Sequence, residues 1–215
     1  MTEPGCFIVS SIPDFVLTGD GTAEPWNTVP WLVMPRVTGE ARFLTRCKLG
    51  RSATGLYLLA DCADDRLDCS LTCDGADLFT EDVVEWFLQP DPSMPLYLEY
   101  EISPLGHHLV LLVPNHRGRF HGWTGWKMDQ DRSIRREVRV RGGPQLPGAT
   151  VSGWCAEVFL PWDLFRGFPN VPPESPWHGN VYRIDRDSKW ALGTATGGDF
   201  HDYERFARFT FPLAD

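Results

Sequence analysis

Residues 81–106 read EDVVEWFLQPDPSMPLYLEYEISPLG, and the order of apolar and polar side chains within them decides the fold. Two runs, VVEWFLQ and LYLEYEI, are rich in β-branched and aromatic residues. Between them PDPSMP is built of turn formers, so the stretch predicts two neighbouring strands. In the second run Leu96, Leu98, Tyr100 and Ile102 point one way, and Tyr97, Glu99 and Glu101 the other. Glu85, Glu99 and Glu101 therefore place three acids in the most strand-like part of the chain. A solvated sheet face, a catalytic carboxylate pair and a ligand-binding groove would each account for them.

The same period of two extends outward. In ARFLTRCKL, Phe43, Thr45 and Cys47 share one face and Leu44, Arg46 and Lys48 the other. GLYLLADC is apolar on both faces, which predicts a central strand. HHLVLLV, IRREVRVR, GWCAEVFLPW, GNVYRID and RFARFTF complete a set of nine or so strands. Helical periodicity is nearly absent; PWDLFRG, with Pro161 to open a turn and Gly167 to stop it, is the one helical candidate. Eighteen Pro and twenty Gly punctuate the rest. The pattern predicts an all-β protein, an antiparallel, jelly-roll-like β-sandwich with few short helices, forming a single domain over residues 1–215. Long loops are expected at residues 62–80, 114–131, 166–178 and 185–204, where function in such folds usually resides.

Composition narrows the function. Apolar residues make up 42% of the chain, enough for a packed core. The net charge of -9 argues against nucleic acid and anionic membrane as partners, since both call for a basic footprint. No apolar run approaches the length of a membrane span. The start lacks the features of a secretory leader, so the sequence as written reads as cytoplasmic, or as extracellular if a leader has been trimmed. Nine Trp suit ligands with apolar faces and polar rims, sugars among them. The six Cys include Cys62, Cys69 and Cys73 but no CxxC; scattered thiols or one local disulfide both fit.

Several constellations carry candidate chemistry. Glu99 and Glu101, two apart on a strand, stand roughly 7 Å apart, within the separation of an inverting glycosidase pair. Trp123 and Trp126 in HGWTGW could form a platform or pack. The acidic run around Asp61, Asp64 and Asp65 offers hard oxygen ligands of the kind calcium takes, without the order of an EF-hand loop. Met34, Met94 and Met128 would be axial candidates if the sandwich bound haem for electron transfer. No zinc-type His spacing, P-loop or GxGxxG occurs.

The order GDGTAEPWNTVPW, GLYLLADCAD, DLFTEDVVEWFLQPD, LYLEYEISPLG, GWCAEVFLPW, NVYRID and ERFARFTF resembles carbohydrate-binding module family 9, and most of all its family 9-like branch. The likeness runs from about residue 17 to 212. It implies a sandwich that binds carbohydrate without chemistry, such as the end of a plant polysaccharide like xylan, and that often carries structural calcium. Two aromatics would hold the sugar. By motif these fall at Phe79, where the type members carry Trp, and near Trp190. Glu85 takes the acidic position. Glu99 and Glu101 stand where the type members carry Arg and Asn. Arg183, in NVYRID, would supply a cation to the three acids, and Trp123 or Trp126 would extend the platform.

Overall fold

The computed structural model describes residues 5–39, 43–116, 119–122, 124–125, 133–194 and 199–212. The alternating runs form two facing sheets. One runs, in spatial order, through Cys6–Ile8, Ala207–Thr210, Trp177–Asp185, Val83–Gln89, Leu96–Ile102, His108–His116 and Arg119–Phe120. Ser188–Ala191 pairs with Trp177–Asp185 and in turn with Arg36–Thr38, and Thr124–Gly125 pairs with His108–His116. The other sheet runs Arg135–Arg141, Gly153–Pro161, Gly55–Cys62, Thr45–Arg51 and Ser10–Ser11, with Leu32–Val33 also on Thr45–Arg51. The interior ladders are antiparallel, as the turn chemistry predicts. Two edge pairings are parallel, so both sheets are mixed: Cys6–Ile8 with Ala207–Thr210, and Ser10–Ser11 with Thr45–Arg51. A three-residue and a two-residue strand, with Val9 between them, thus pair with opposite sheets.

The core between the sheets takes the inward positions of every central strand. Val84, Trp86 and Leu88 meet Leu98, Tyr100 and Ile102 across their ladder, and Leu56, Leu58, Trp154 and Val158 face them from the other sheet. All are buried, and Leu98 and Glu99 lie on opposite faces, as the alternation predicts. Both sheets are also covered outside. Leu78, Phe87, Tyr97, Tyr182 and Phe206 form a second apolar layer beneath the loops outside the larger sheet. Trp26, Tyr57, Leu59 and Phe159 form a third outside the smaller one. This explains why Val83–Gln89 and Gly153–Pro161 are buried at every residue. It also removes the solvated-face reading of Glu85, Glu99 and Glu101, which are at most 3% exposed.

The third layer is pinned by one carboxylate. Glu157, fully buried, accepts hydrogen bonds from the backbone N–H of Thr18, Gly19 and Gly21, the Thr18 hydroxyl and the Trp26 indole. Gly19 and Gly21 have φ of +80° and +75°, which directs consecutive amides toward one anion. At Gly21 a Cβ would meet Leu59 at 2.7 Å, so glycine is required twice over.

Four 3-10 turns are the helical content of the described residues. One, Trp162–Phe165, is the PWDLFRG candidate, capped by Pro161 and left through Gly167 at φ +104°. All six cysteines are free thiols, which answers the disulfide alternative for Cys62, Cys69 and Cys73. Met34 is a core residue at 2% exposure.

Candidate functional site

Strand register gathers the three acids. Glu85 stands opposite Glu101 on one side and Tyr182 on the other, and Phe87 stands opposite Glu99. All therefore face outward from the larger sheet, under its covering loops. Phe79 arrives from the 3-10 turn Leu78–Thr80, which leads into Val83–Gln89. Asp199, Phe200 and His201 arrive from the loop after Ser188–Ala191. Together with Lys189, Leu111 and Ile184, they enclose a cavity of about 260 Å³ lined also by Glu85 and Glu99.

The lining is held from behind. Phe200 stacks on Tyr182 with ring centroids 4.0 Å apart and planes 12° apart, which fixes its orientation. Lys189 Nζ lies 4.9 Å from the Phe200 ring centroid. The His201 ring nitrogen Nδ1 lies 2.6 Å from the Tyr97 hydroxyl, and its backbone carbonyl accepts a hydrogen bond from Asn115. Its own N–H donates to Asp199 Oδ1.

The acids lack such support. Glu85 Oε1 and Glu99 Oε2 are buried without a hydrogen-bond partner. Burial pushes Glu99 up to about 7. Burial, then the neighbouring Glu99 charge, pushes Glu85 well above the carboxylate range, with Lys189 acting in the opposite direction. Glu101 lies behind them. Burial and its two acidic neighbours push it up to about 11, with the Phe79 backbone amide offsetting part of the effect. Like charges in a dry site cannot all ionise, so protons are retained.

Two expected members of the site face the other way. Tyr182 is the position aligned with Glu85, so period two turns Arg183 into the core between the sheets. There it is fully buried and donates to Thr45 Oγ1, the Ala63 carbonyl, Asp64 Oδ2 and Asp185 Oδ2. It does not serve Glu85, Glu99 or Glu101. Trp190 is the cross-strand partner of Arg183, is 2% exposed and lies under its guanidinium at 4.8 Å. It packs the core instead of forming a rim. The second aromatic of the cavity is Phe200, which the motif comparison missed; its signal was an aromatic in the long loop 185–204, in GGDFHDYE. Trp123 and Trp126 lie outside the described residues.

Of the acidic run, only Asp64 joins a cluster. Asp61 pairs with Arg46 and Arg141, and Asp65 with Arg186. Asp64, Asp82 and Asp185 are buried and bring one carboxylate oxygen each within 4.8 Å of the others. The donors are hard oxygens, and Asp82 Oδ1 has no hydrogen-bond partner. Burial, then the Asp64 charge, pushes Asp82 up to about 7. Arg183 already occupies one oxygen each of Asp64 and Asp185, and backbone amides of Asp65 and Arg66 take the other oxygen of Asp64. Calcium requires six to eight oxygens. The cluster fits a guanidinium-centred ion network better than a calcium sphere.

The β-sandwich is similar in fold to carbohydrate-binding modules of family 9. A module of that family from Caldicellulosiruptor kristjanssonii, in complex with cellotriose, matches with a TM-score of 0.64 at 15% identity, over 96% of this chain and 94% of that one. The module in complex with glucose matches at 0.66 and 16%, over 98% and 97%. A candidate carbohydrate-binding protein from Bacteroides uniformis matches at 0.76 and 13%, over 97% and 99%. Among curated sequences, UPF0462 protein C4orf33 homolog of Mus musculus is 30% identical over 143 residues, 63% of this chain and 64% of that protein. UPF0462 protein C4orf33 of Homo sapiens is 30% identical over 142 residues, 63% and 61%. The chain thus matches less than two thirds of the length of these curated relatives. No protein-family profile matches it.

Proposed function

We propose that the protein binds carbohydrate non-catalytically in the cavity between Phe79 and Phe200. One observation carries the reading: Glu85 and Glu99 line the cavity, and each is a buried carboxyl with one oxygen left without a hydrogen-bond partner. Such groups cost about 1–3 kcal/mol when left unpaired, and a polyol supplies the missing hydroxyls. A sugar ring also presents C–H faces that suit Phe79 and Phe200. A volume of about 260 Å³ lies just below the roughly 300–1,000 Å³ of drug-sized sites, the scale of a single sugar ring. The end of a polysaccharide, with one ring inserted and the remainder outside, is the form of ligand this favours. Modules of the same fold that hold cellotriose and glucose support the reading.

A glycan array that includes cello- and xylo-oligosaccharides tests it, followed by titration calorimetry with the best ligand. Phe79→Ala and Phe200→Ala should each weaken binding about tenfold, within the 1–3 kcal/mol range that stacking on an aromatic supplies in nucleic-acid sites. Unchanged affinity in both variants would reject the cavity. Turnover of an oligosaccharide by the unmodified protein would replace binding by hydrolysis.

A further inference from the structure

We infer that the sugar taken by this cavity carries an ammonium group: the ligand is a basic amino sugar, at the end of a de-N-acetylated chain, rather than a neutral hexose. The inference rests on the carbohydrate reading above and names the class of sugar.

The cavity is acidic beyond what hydroxyl recognition asks for. Glu85, Glu99 and Asp199 line it, and Glu101 is the cross-strand neighbour of Glu85. Among the described lining residues Lys189 carries the one fixed positive charge, and it lies against the Phe200 ring. His201 is held below its ordinary value by burial, so it is neutral where the acids ionise. A neutral sugar would leave these groups protonated, held short of their carboxylate forms. A cation restores them, and hydrogen bonds from a charged donor to carboxylate are about twice as strong as neutral ones.

The geometry selects the kind of cation. Glu85, Glu99 and Glu101 do not bring three oxygens within 4.8 Å of one another, whereas Asp64, Asp82 and Asp185 do. A bare metal ion needs convergent oxygens at 2.3–2.6 Å, the calcium range. An alkylammonium instead projects three N–H donors outward from one nitrogen, reaching acceptors spread around it. Its carbon frame belongs on apolar surface, which Phe79, Leu111 and Phe200 supply in the same wall. An amine on a sugar ring meets both demands; a simple diamine has no ring face for the aromatics.

Titration calorimetry on the full chain separates the alternatives. The probes are the glucosamine trimer, its N-acetylated counterpart, cellotriose and cadaverine, at pH 6.5. The glucosamine trimer should bind at least tenfold more tightly than each of the other three. Glu85→Gln and Glu99→Gln should each bring the preference over cellotriose down to threefold or less. Both variants should keep the thermal midpoint of the parent or exceed it, since each replaces a carboxyl that burial disfavours in its charged form by a neutral amide of the same shape. Cellotriose or the N-acetylated trimer binding as tightly as the glucosamine trimer would overturn the amino-sugar assignment and leave carbohydrate binding standing. Cadaverine binding as tightly would overturn it too, because the ring would then add nothing. Failure of all three oligosaccharides would remove both readings. A preference that survives in both variants would show that these carboxylates do not read the amine.

Discussion

At the residue scale, the contrast between Arg183 and Glu85 shows what one position along a strand decides. Arg183 and Tyr182 are adjacent, yet one faces the core and the other the cavity layer. Arg183 is tolerated in the core because four acceptors and the Trp190 ring surround its guanidinium. A buried ion pair broken on one side typically costs 3–5 kcal/mol. Trp190→Ala removes the ring beneath that network and leaves a large void. It should destabilise the protein by about 3–5 kcal/mol, the range for Trp truncation in a core, read as a lowered urea midpoint. A variant as stable as the parent would show that Trp190 is not core. The sequence likeness pointed to Trp190 by its place along the chain, but could not reveal its face, because that depends on the pairing of Trp190 with Arg183.

At the scale of elements, the strands Val83–Gln89 and Leu96–Ile102 hold three acids against one another, and this gives the fold an unusual pH dependence. Folded-state values raised above the ordinary 4.5, to about 7 for Glu99 and about 11 for Glu101, mean that the folded protein binds more protons than the unfolded chain. The associated stability is fully present below 4.5 and is lost as pH rises through 7 and beyond. In the acid range the opposite holds for Asp61, held below its ordinary 3.8 against burial by Arg141 and Arg46, whose contribution disappears on strong acidification. Stability should therefore peak near pH 5 and fall toward pH 8, measured as urea midpoints. Glu101→Gln should flatten the fall between pH 5 and 8; a slope equal to that of the parent would separate Glu101 from it. These strands were legible as strands from alternation alone. Their burial on both faces was not, because the covering loops come from residues 62–80 and 192–206, far away in sequence and without periodicity of their own.

At the scale of the molecule, the sandwich and its strand set follow from binary pattern and turn chemistry, and the short turn at Trp162–Phe165 from Pro and Gly. Phe200 was not readable, since a lone aromatic in a loop has no register to place it. The acidic run around Asp61, Asp64 and Asp65 pointed to calcium from composition. What the fold assembles is Asp64, Asp82 and Asp185 around Arg183, drawn from three separate segments. Because an internal guanidinium fills that network, a chelator should leave the melting temperature within a degree or so of the untreated value. A fall of several degrees, reversed by added calcium, would show that an ion shares the network.

The two short N-terminal strands have a further consequence. Cys6–Ile8 closes the edge of one sheet and Ser10–Ser11 the edge of the other, with the Val9 N–H bonded to Thr210 and the Ile12 N–H to Arg51. A single run of a few residues thus caps both layers at once. Cys6–Ile8 finds its partner, Ala207–Thr210, far along the chain, so that edge stays uncapped until the later strand has been made. Loss of that ribbon would bare two edges together and leave a template for strand exchange between copies.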